Sequence, residues 1–300
     1  MVPWILAGAA AAGAGAVGYG VFVERHRYRS VRYRLDILPA GAPEGLTLLH
    51  LSDLHMLAGD RRLPPFLRNL PRADLTVVTG DFLGEPEAVE RVVAALRPLR
   101  GRIASLFVLG SNDLWAPQPV NYLRYFVPRR RHRRKAKRPG RAADLVRLLE
   151  ADGWIHLRNR THDLDDEGIE LVGLDDPHIH RGDPRVALRR HPERFGLAVV
   201  HSPDPGPELV ALGWDLVVSG HTHGGQVNLP FVGALVTNCS LPPRMAKGLF
   251  RLGSGYLHVS PGLGTGKYAP FRFLCPPEAA LIELGRKRTG KKGSGPSTSN

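Results

Sequence analysis

With only two cysteines in 300 residues, Cys239 and Cys275, the chain has no disulfide framework, and at most one bridge could form. Aromatic residues are scarce, at 7%, and none is interleaved in the arginine run between positions 129 and 138. That run therefore offers no base-stacking platform for single-stranded nucleic acid. No charged residue precedes Glu24. Excess positive charge is likewise missing from the body of the chain, although the formal net charge is +13. Five basic residues follow the first apolar segment (Arg25, Arg27, Arg29, Arg32, Arg34), eight lie between Arg129 and Arg138, and five are in the tail (Arg286, Lys287, Arg288, Lys291, Lys292). Without those 18 the remainder carries about −5, so the basicity belongs to peripheral segments and not to a binding body.

The uncharged stretch is long enough to matter. A helix over the 21 residues from Pro3 to Val23 is roughly 31 Å long, about one hydrocarbon thickness. The run is apolar all round and passes directly into ERHRYRSVRYR, unlike a core helix. A cleaved signal peptide is the rival, but no Lys or Arg precedes the apolar stretch. We read residues 1–24 as a single transmembrane anchor, 25–44 as a basic juxtamembrane linker, 45–284 as the main domain and 285–300 as a disordered basic tail. Positive charge on the C-terminal flank then places a single-pass membrane protein with its domain on the cytoplasmic side, beside anionic lipid headgroups.

Through the middle of the chain, short β-branched runs (LTLLHLS, DLTVVTG, IASLFVLG, IELVGLD, GLAVVHS, DLVVSG, YLHVSPG, AALIEL) read as buried strands. Amphipathic patterns over Pro86–Leu99 and Ala142–Ala151 read as helices between them. Strands alternating with helices imply an α/β layered fold. Arg129 to Arg141 has no apolar face and reads as a solvated loop.

Nearly every candidate strand runs into Asp, Asn or His. The first leads to Asp53 and His55, the next to Asp81, then Asn112 and Asp113, His201, and finally His221 and His223. Ligands in layered α/β folds bind at the carboxyl ends of strands, so these residues should meet in one cleft. Taken singly, Asp53-x-His55 and Gly80-Asp81 are ordinary turn chemistry, and His201 is an ordinary core histidine. The tripeptide His221-Thr222-His223 is more telling, because two neighbouring imidazoles would repel if both were charged. Together the motifs supply two carboxylates, four imidazoles and an amide, a donor set suited to Mn, Fe or Zn. Seven ligands exceed the needs of one ion, so two divalent metal ions are expected, with Asp81 as the natural bridge.

In this order the motifs resemble those of calcineurin-like metallophosphoesterases, over Leu46 to about Leu284. The resemblance implies a sandwich of two mixed β-sheets flanked by helices. It also implies one ion held by Asp53, His55 and His223, another by Asn112, His201 and His221, and Asp81 shared. GHTHGGQVNLPFVG and the later GLGTG resemble the bacterial membrane-anchored branch, some members of which cleave phosphoanhydrides of lipid precursors. The chain departs from the family at Gly110-Ser111-Asn112-Asp113, where the family reads Gly-Asn-His-Asp. Without a gap, Ser111 replaces the metal-binding Asn and Asn112 the histidine that assists the leaving group. With a one-residue shift, Asn112 keeps the ligand role, which suits an amide oxygen better than a hydroxyl. Either alignment lacks the histidine.

The expectation is a metal-dependent phosphodiester or phosphoanhydride hydrolase, with Asp81 and Asn112 as catalytic candidates and water activated by the ions. Its partner would be a phosphorylated substrate at the membrane, a lipid phosphodiester or a nucleotide-linked lipid, with no specific nucleic acid. His178 and His180 are further candidates for the cleft, although exposed loop histidines are the simpler reading. A metal-binding scaffold without turnover and a nuclease guided by the Arg129–Arg138 run are the alternatives.

Overall fold

A computed structural model describes residues 2–119, 138–176, 182–287 and 297–299. The strands, in chain order, are β1 (Arg29–Leu38), β2 (Gly45–Leu51), β3 (Leu75–Val78), β4 (Ala104–Phe107), β5 (Ile155–His156), β6 (Arg160–Leu164), β7 (Ile169–Leu174), β8 (Phe195–Val200), β9 (Leu216–Ser219), β10 (Asn228–Leu229), β11 (Gly233–Ala234), β12 (Gly248–Leu252), β13 (Gly255–Val259), β14 (Glu278–Arg286) and β15 (Ser297–Ser299). The helices are α1 (Val2–Phe22), α2 (Leu63–Arg68), α3 (Val89–Leu96), α4 (Ser111–Leu114), α5 (Ala142–Ala151) and α6 (Gly206–Ala211). All eight strands and both helical patterns read from the sequence are present.

Two mixed sheets face one another, in the orders β15-β1-β14-β2-β3-β4-β5 and β12-β13-β9-β8-β7-β6. Strand periodicity explains the layering. Along β2, Leu48 points into the core between the sheets, with Val77, Leu106, Leu197, Val218 and Ile282. Its neighbour Leu49 points the other way, into a second core beneath α2, α3 and α5. Alternate residues of β8 and β9 do the same, and Ala198, Val200 and Val217 pack with Leu209, Val210 and Trp214 behind the second sheet. A strand buried on both faces must be apolar at successive positions, which is why these strands read as continuous runs. The α/β, two-sheet architecture expected from sequence is therefore the one observed.

Parallel pairing positions the site. β2, β3 and β4 run parallel, as do β7, β8, β9 and β13 in the other sheet. Asp53, Asp81 and Asn112 follow the carboxyl ends of the first set, His201 and His221 those of the second.

Some expectations change. The segment read as a juxtamembrane linker contains β1, which pairs in parallel with β14. Val31, Tyr33 and Leu35 alternate inward while Arg32 and Arg34 stay exposed, so the arginines masked a period-two strand. Ser297–Ser299, read as tail, pairs antiparallel with β1. The arginine run from 129 to 137, His178 and His180 lie outside the described residues. The N-terminal helix forms over 21 residues. Among the described residues, however, no helix is long and apolar enough to cross a membrane. Alanine and glycine dominate α1, and such small side chains contribute little apolar surface per turn.

Candidate metal centre

The strand ends deliver their side chains through strained backbone. Asp53, His55, Asp81, His221 and His223 all adopt positive φ, between 39° and 70°. For residues with a Cβ this conformation costs on the order of 1 kcal/mol each, and such strain collects where geometry serves function. Two glycines make room for the carboxylates. A Cβ at Gly110 would strike the Asp81 carboxylate, and one at Gly220 would strike Ser52 and the Asp53 carboxylate. Only glycine allows the backbone this close.

All seven ligand candidates read from sequence converge. The Nε2 atoms of His55 and His223 lie 3.2 Å apart, and the Asp53 carboxylate oxygen Oδ1 is 3.9 Å from the first and 3.6 Å from the second. That oxygen is buried and has no hydrogen-bond partner, a costly arrangement that a bound cation would relieve. Asp53, His55 and His223 form one potential metal-holding triplet, and Asp53, Asp81 and His201 form a second. The first matches the set implied by resemblance. In the second, Asp53 is common to both triplets. Asp81 Oδ2 nevertheless lies between the two halves, 3.5 Å from His55 Nε2 and 3.8 Å from His201 Nε2.

Outer contacts fix the imidazole tautomers. His201 Nδ1 donates to the Thr79 carbonyl at 2.7 Å, leaving Nε2 free to face the site. His221 Nε2 donates to the Asn238 carbonyl at 3.3 Å, so its Nδ1 faces inward, 3.1 Å from His201 Nε2. This is the usual way a protein orients a ligating histidine. Asn112 sits against Asp81, donating from its side-chain amide at 2.6 Å and from its backbone at 2.8 Å. Asp113 carries no site chemistry. It is a buried brace that accepts the backbone N–H groups of Asp81, Gly110 and Leu83. Burial and the neighbouring Asp81 push its carboxyl up to about 7.

The electrostatics fit a cation. Burial disfavours charge on both Asp81 and His201, but each stabilises the other. Asp81 is held below the usual carboxylate range with help from His55 and Asn112. His201 is raised to about 9 by Asp81, Asp53 and Asp176. The field that keeps a proton on His201 is the one that would attract a metal ion in its place. At the other triplet, burial lowers His223 to about 3, aided by His55 and Arg272, so it presents a lone pair at neutral pH. The buried oxygen, the paired imidazoles and this field all suit divalent cations.

No motif in the chain announces the buried relay behind Asp53. Ser52 donates to Asp53 Oδ2 at 2.5 Å, Thr79 to Ser52 at 2.7 Å, and Thr79 meets His50 Nε2 at 2.9 Å. His50 Nδ1 lies 2.8 Å from His258 Nδ1. Because a carboxylate only accepts, every donor must point toward Asp53, which makes His258 the donor to His50 and keeps the His50 ring neutral. Burial lowers both imidazoles, His258 to about 3. A depressed folded-state pKa means that the stability contributed by the neutral ring is present above about 6.5 and is lost as pH falls toward 3. At pH 5 His258 alone should remove roughly 2 kcal/mol from the metal-free protein. Denaturant unfolding at pH 7 and pH 5, beside His258→Leu, checks this: the variant should lose less stability on acidification, and equal losses would refute it.

A groove of about 830 Å³, lined by His55, Asn112, Trp115, His223, Gln226 and Phe271, opens onto the site. Residues 46–225 match the family model for calcineurin-like phosphoesterases. The chain is 28% identical over 296 residues to the metallophosphoesterase YkuE of Bacillus subtilis, covering 93% of each protein. It is also 28% identical over 279 residues to the UDP-2,3-diacylglucosamine pyrophosphatase LpxG of Chlamydia trachomatis, covering 79% of this chain and 83% of that one. With its aspartates and histidines gathered at the strand ends as described, and with more than half its length matched, the chain belongs to the calcineurin-like phosphoesterase family and is a metal-dependent phosphoester hydrolase.

Proposed function

We propose that the protein hydrolyses a phosphoanhydride or activated phosphodiester carried on a lipid, at a membrane surface, using two divalent ions. The observation that carries the two-ion reading is the pair of donor triplets joined at Asp53, with Asp81 reaching toward both. When bound, such ions supply an activated water and neutralise charge on phosphate oxygens. Asp53, His55 and His223 would hold one ion. His201, His221 and Asn112 would serve the other, and Asp81 both. Asn112 keeps the Asp81 carboxylate in place through its two hydrogen bonds. The apolar walls of the groove, Trp115, Tyr268 and Phe271, suit a substrate with a hydrocarbon portion.

In either alignment the histidine that assists the leaving group is missing, and the Asn112 amide cannot protonate a departing alkoxide, which favours substrates whose leaving group is already a weak base. A nucleoside monophosphate leaving from a diphosphate linkage is of that kind, and the activity named for the Chlamydia relative points the same way. The basic residues after α1 favour a location against anionic lipid. Elemental analysis and turnover test the reading together. We expect about two ions per chain, loss of aryl phosphodiesterase activity on chelation, and recovery with Mn²⁺. Rates should fall steeply from aryl to alkyl leaving groups. Full activity in the chelated protein would end the proposal.

A further inference from the structure

The surface beside the groove holds an apolar feature that the hydrolytic site does not use. Residues 224–243 contain no charged side chain. Within them, β10 and β11 pair as a hairpin whose tip is Pro230-Phe231-Val232. Phe231 is fully exposed and Val232 is 67% exposed, while Leu229, Leu235 and Val236 on the same hairpin are also exposed. Turn tips in water carry Gly, Asn, Asp or Ser. Here a phenylalanine occupies the turn at φ 64°, a conformation in which a bulky side chain is strained. The fully exposed ring gains no burial among the described residues to repay that strain.

The hairpin is anchored to the exit of α1. Asn228 donates from its backbone to the Phe273 carbonyl and from its side chain to the Leu274 carbonyl. The same segment returns to the helix. Arg272 N–H donates to the Gly20 carbonyl, Glu24 accepts the N–H groups of Leu274 and Cys275, and Gly20 lies against the Phe271 ring. Exposed Phe22, Val23 and Leu274 thus belong to one connected framework with Phe231 and Val232. Cations gather beside it. Arg25, Arg61 and Arg62 line a cleft with Phe22 and with the acidic Asp60 and Glu85, and Lys267, paired with Glu85 at 2.6 Å, lines both that cleft and the groove above the metal centre.

We propose that the β10–β11 hairpin tip is a second lipid contact, which inserts into the interface of an anionic bilayer and turns the metal groove toward it. Apolar tips with neighbouring cations match acyl chains below anionic phosphates. From Asn228, whose backbone is pinned, Phe231 lies three residues out, roughly 10 Å in an extended chain. That reach is comparable to the depth at which interfacial segments sit. The inference rests on the membrane reading above but not on the hydrolytic one.

The test places an environment-sensitive fluorophore at the tip of the full-length protein, through Phe231→Cys in a Cys239→Ser background; Cys275 is buried. Vesicles of phosphatidylcholine with about one third phosphatidylglycerol should brighten the label and shift its emission to shorter wavelength, and brominated acyl chains should quench it. Co-sedimentation with an unchanged label overturns the proposal. So does a blue shift that grows with protein concentration in the absence of lipid, since a second copy would then cover the tip. Phe231→Ser with Val232→Ser should leave turnover of a soluble aryl phosphodiester unchanged and lower that of a vesicle-embedded one by about tenfold. Equal rates on both would overturn it. A protein inactive on every substrate, with a bromine-quenched label, keeps the docking surface and loses only the hydrolytic reading.

Discussion

Asp81→Asn should lower kcat at least about 10³-fold, on the order of 4 kcal/mol of transition-state stabilisation. Asp81 Oδ2 lies within 4 Å of imidazole nitrogens from both sides of the site. Its substitution therefore removes an anionic oxygen that reaches toward both halves of the site. Bound metal should drop below two ions per chain by elemental analysis. The amide is nearly isosteric and can still meet Asn112, so thermal unfolding of the metal-free variant should stay within a few degrees of the parent. A second readout separates electrostatics from misfolding. Asp81 is foremost among the carboxylates that raise His201, so in the metal-free variant His201 should release its proton at lower pH, which an NMR titration of the imidazole would follow. A variant that retained two ions and full turnover would refute the role assigned to Asp81.

The gathering of the candidate ligands was legible because metal chemistry restricts residue type and strand ends restrict position. Asp53, His55, Asp81, His201, His221 and His223 each follow an apolar run short enough to be a strand, and parallel pairing then brings the ends together. What supports them was not legible. His258 is 208 residues from its partner His50, and the contact exists only because the two sheets face each other. Strand β1 was hidden for another reason: arginines on its exposed face gave it the look of a charged linker, while Val31, Tyr33 and Leu35 supplied the buried face. Arg272 left no trace because it lies outside every motif. Its partners are backbone carbonyls, which have no signature in sequence.

Arg272 is the second position where a large loss is expected, of about 3–5 kcal/mol for Arg272→Met. The side chain is completely buried. Its Nη2 donates to the carbonyls of Pro261 and Gly264 at 2.7 Å and of Gly262 at 3.2 Å, and its Nη1 to Cys275 at 3.2 Å. A guanidinium holds five N–H donors in a rigid planar fork that spans several acceptors, where an ammonium offers three from a single point. Methionine fills the volume but leaves these carbonyls dry and unpaired. Thermal unfolding should therefore fall by roughly 5–8 °C for a chain of this size, with Arg272→Lys in between. The consequence reaches the metals, because the segment that Arg272 clamps also holds the chain at Asp53: Leu263 N–H donates to the Ser52 carbonyl at 3.0 Å and Gly264 N–H to that of Asp53 at 2.6 Å. The cation also helps keep His223 unprotonated. Loosening the clamp frees the Asp53 backbone from its left-handed conformation and raises the proton affinity of His223, and both changes oppose metal binding. The folded fraction of Arg272→Met should thus bind metal more weakly than the parent in equilibrium dialysis, and unchanged affinity would confine Arg272 to a purely structural part.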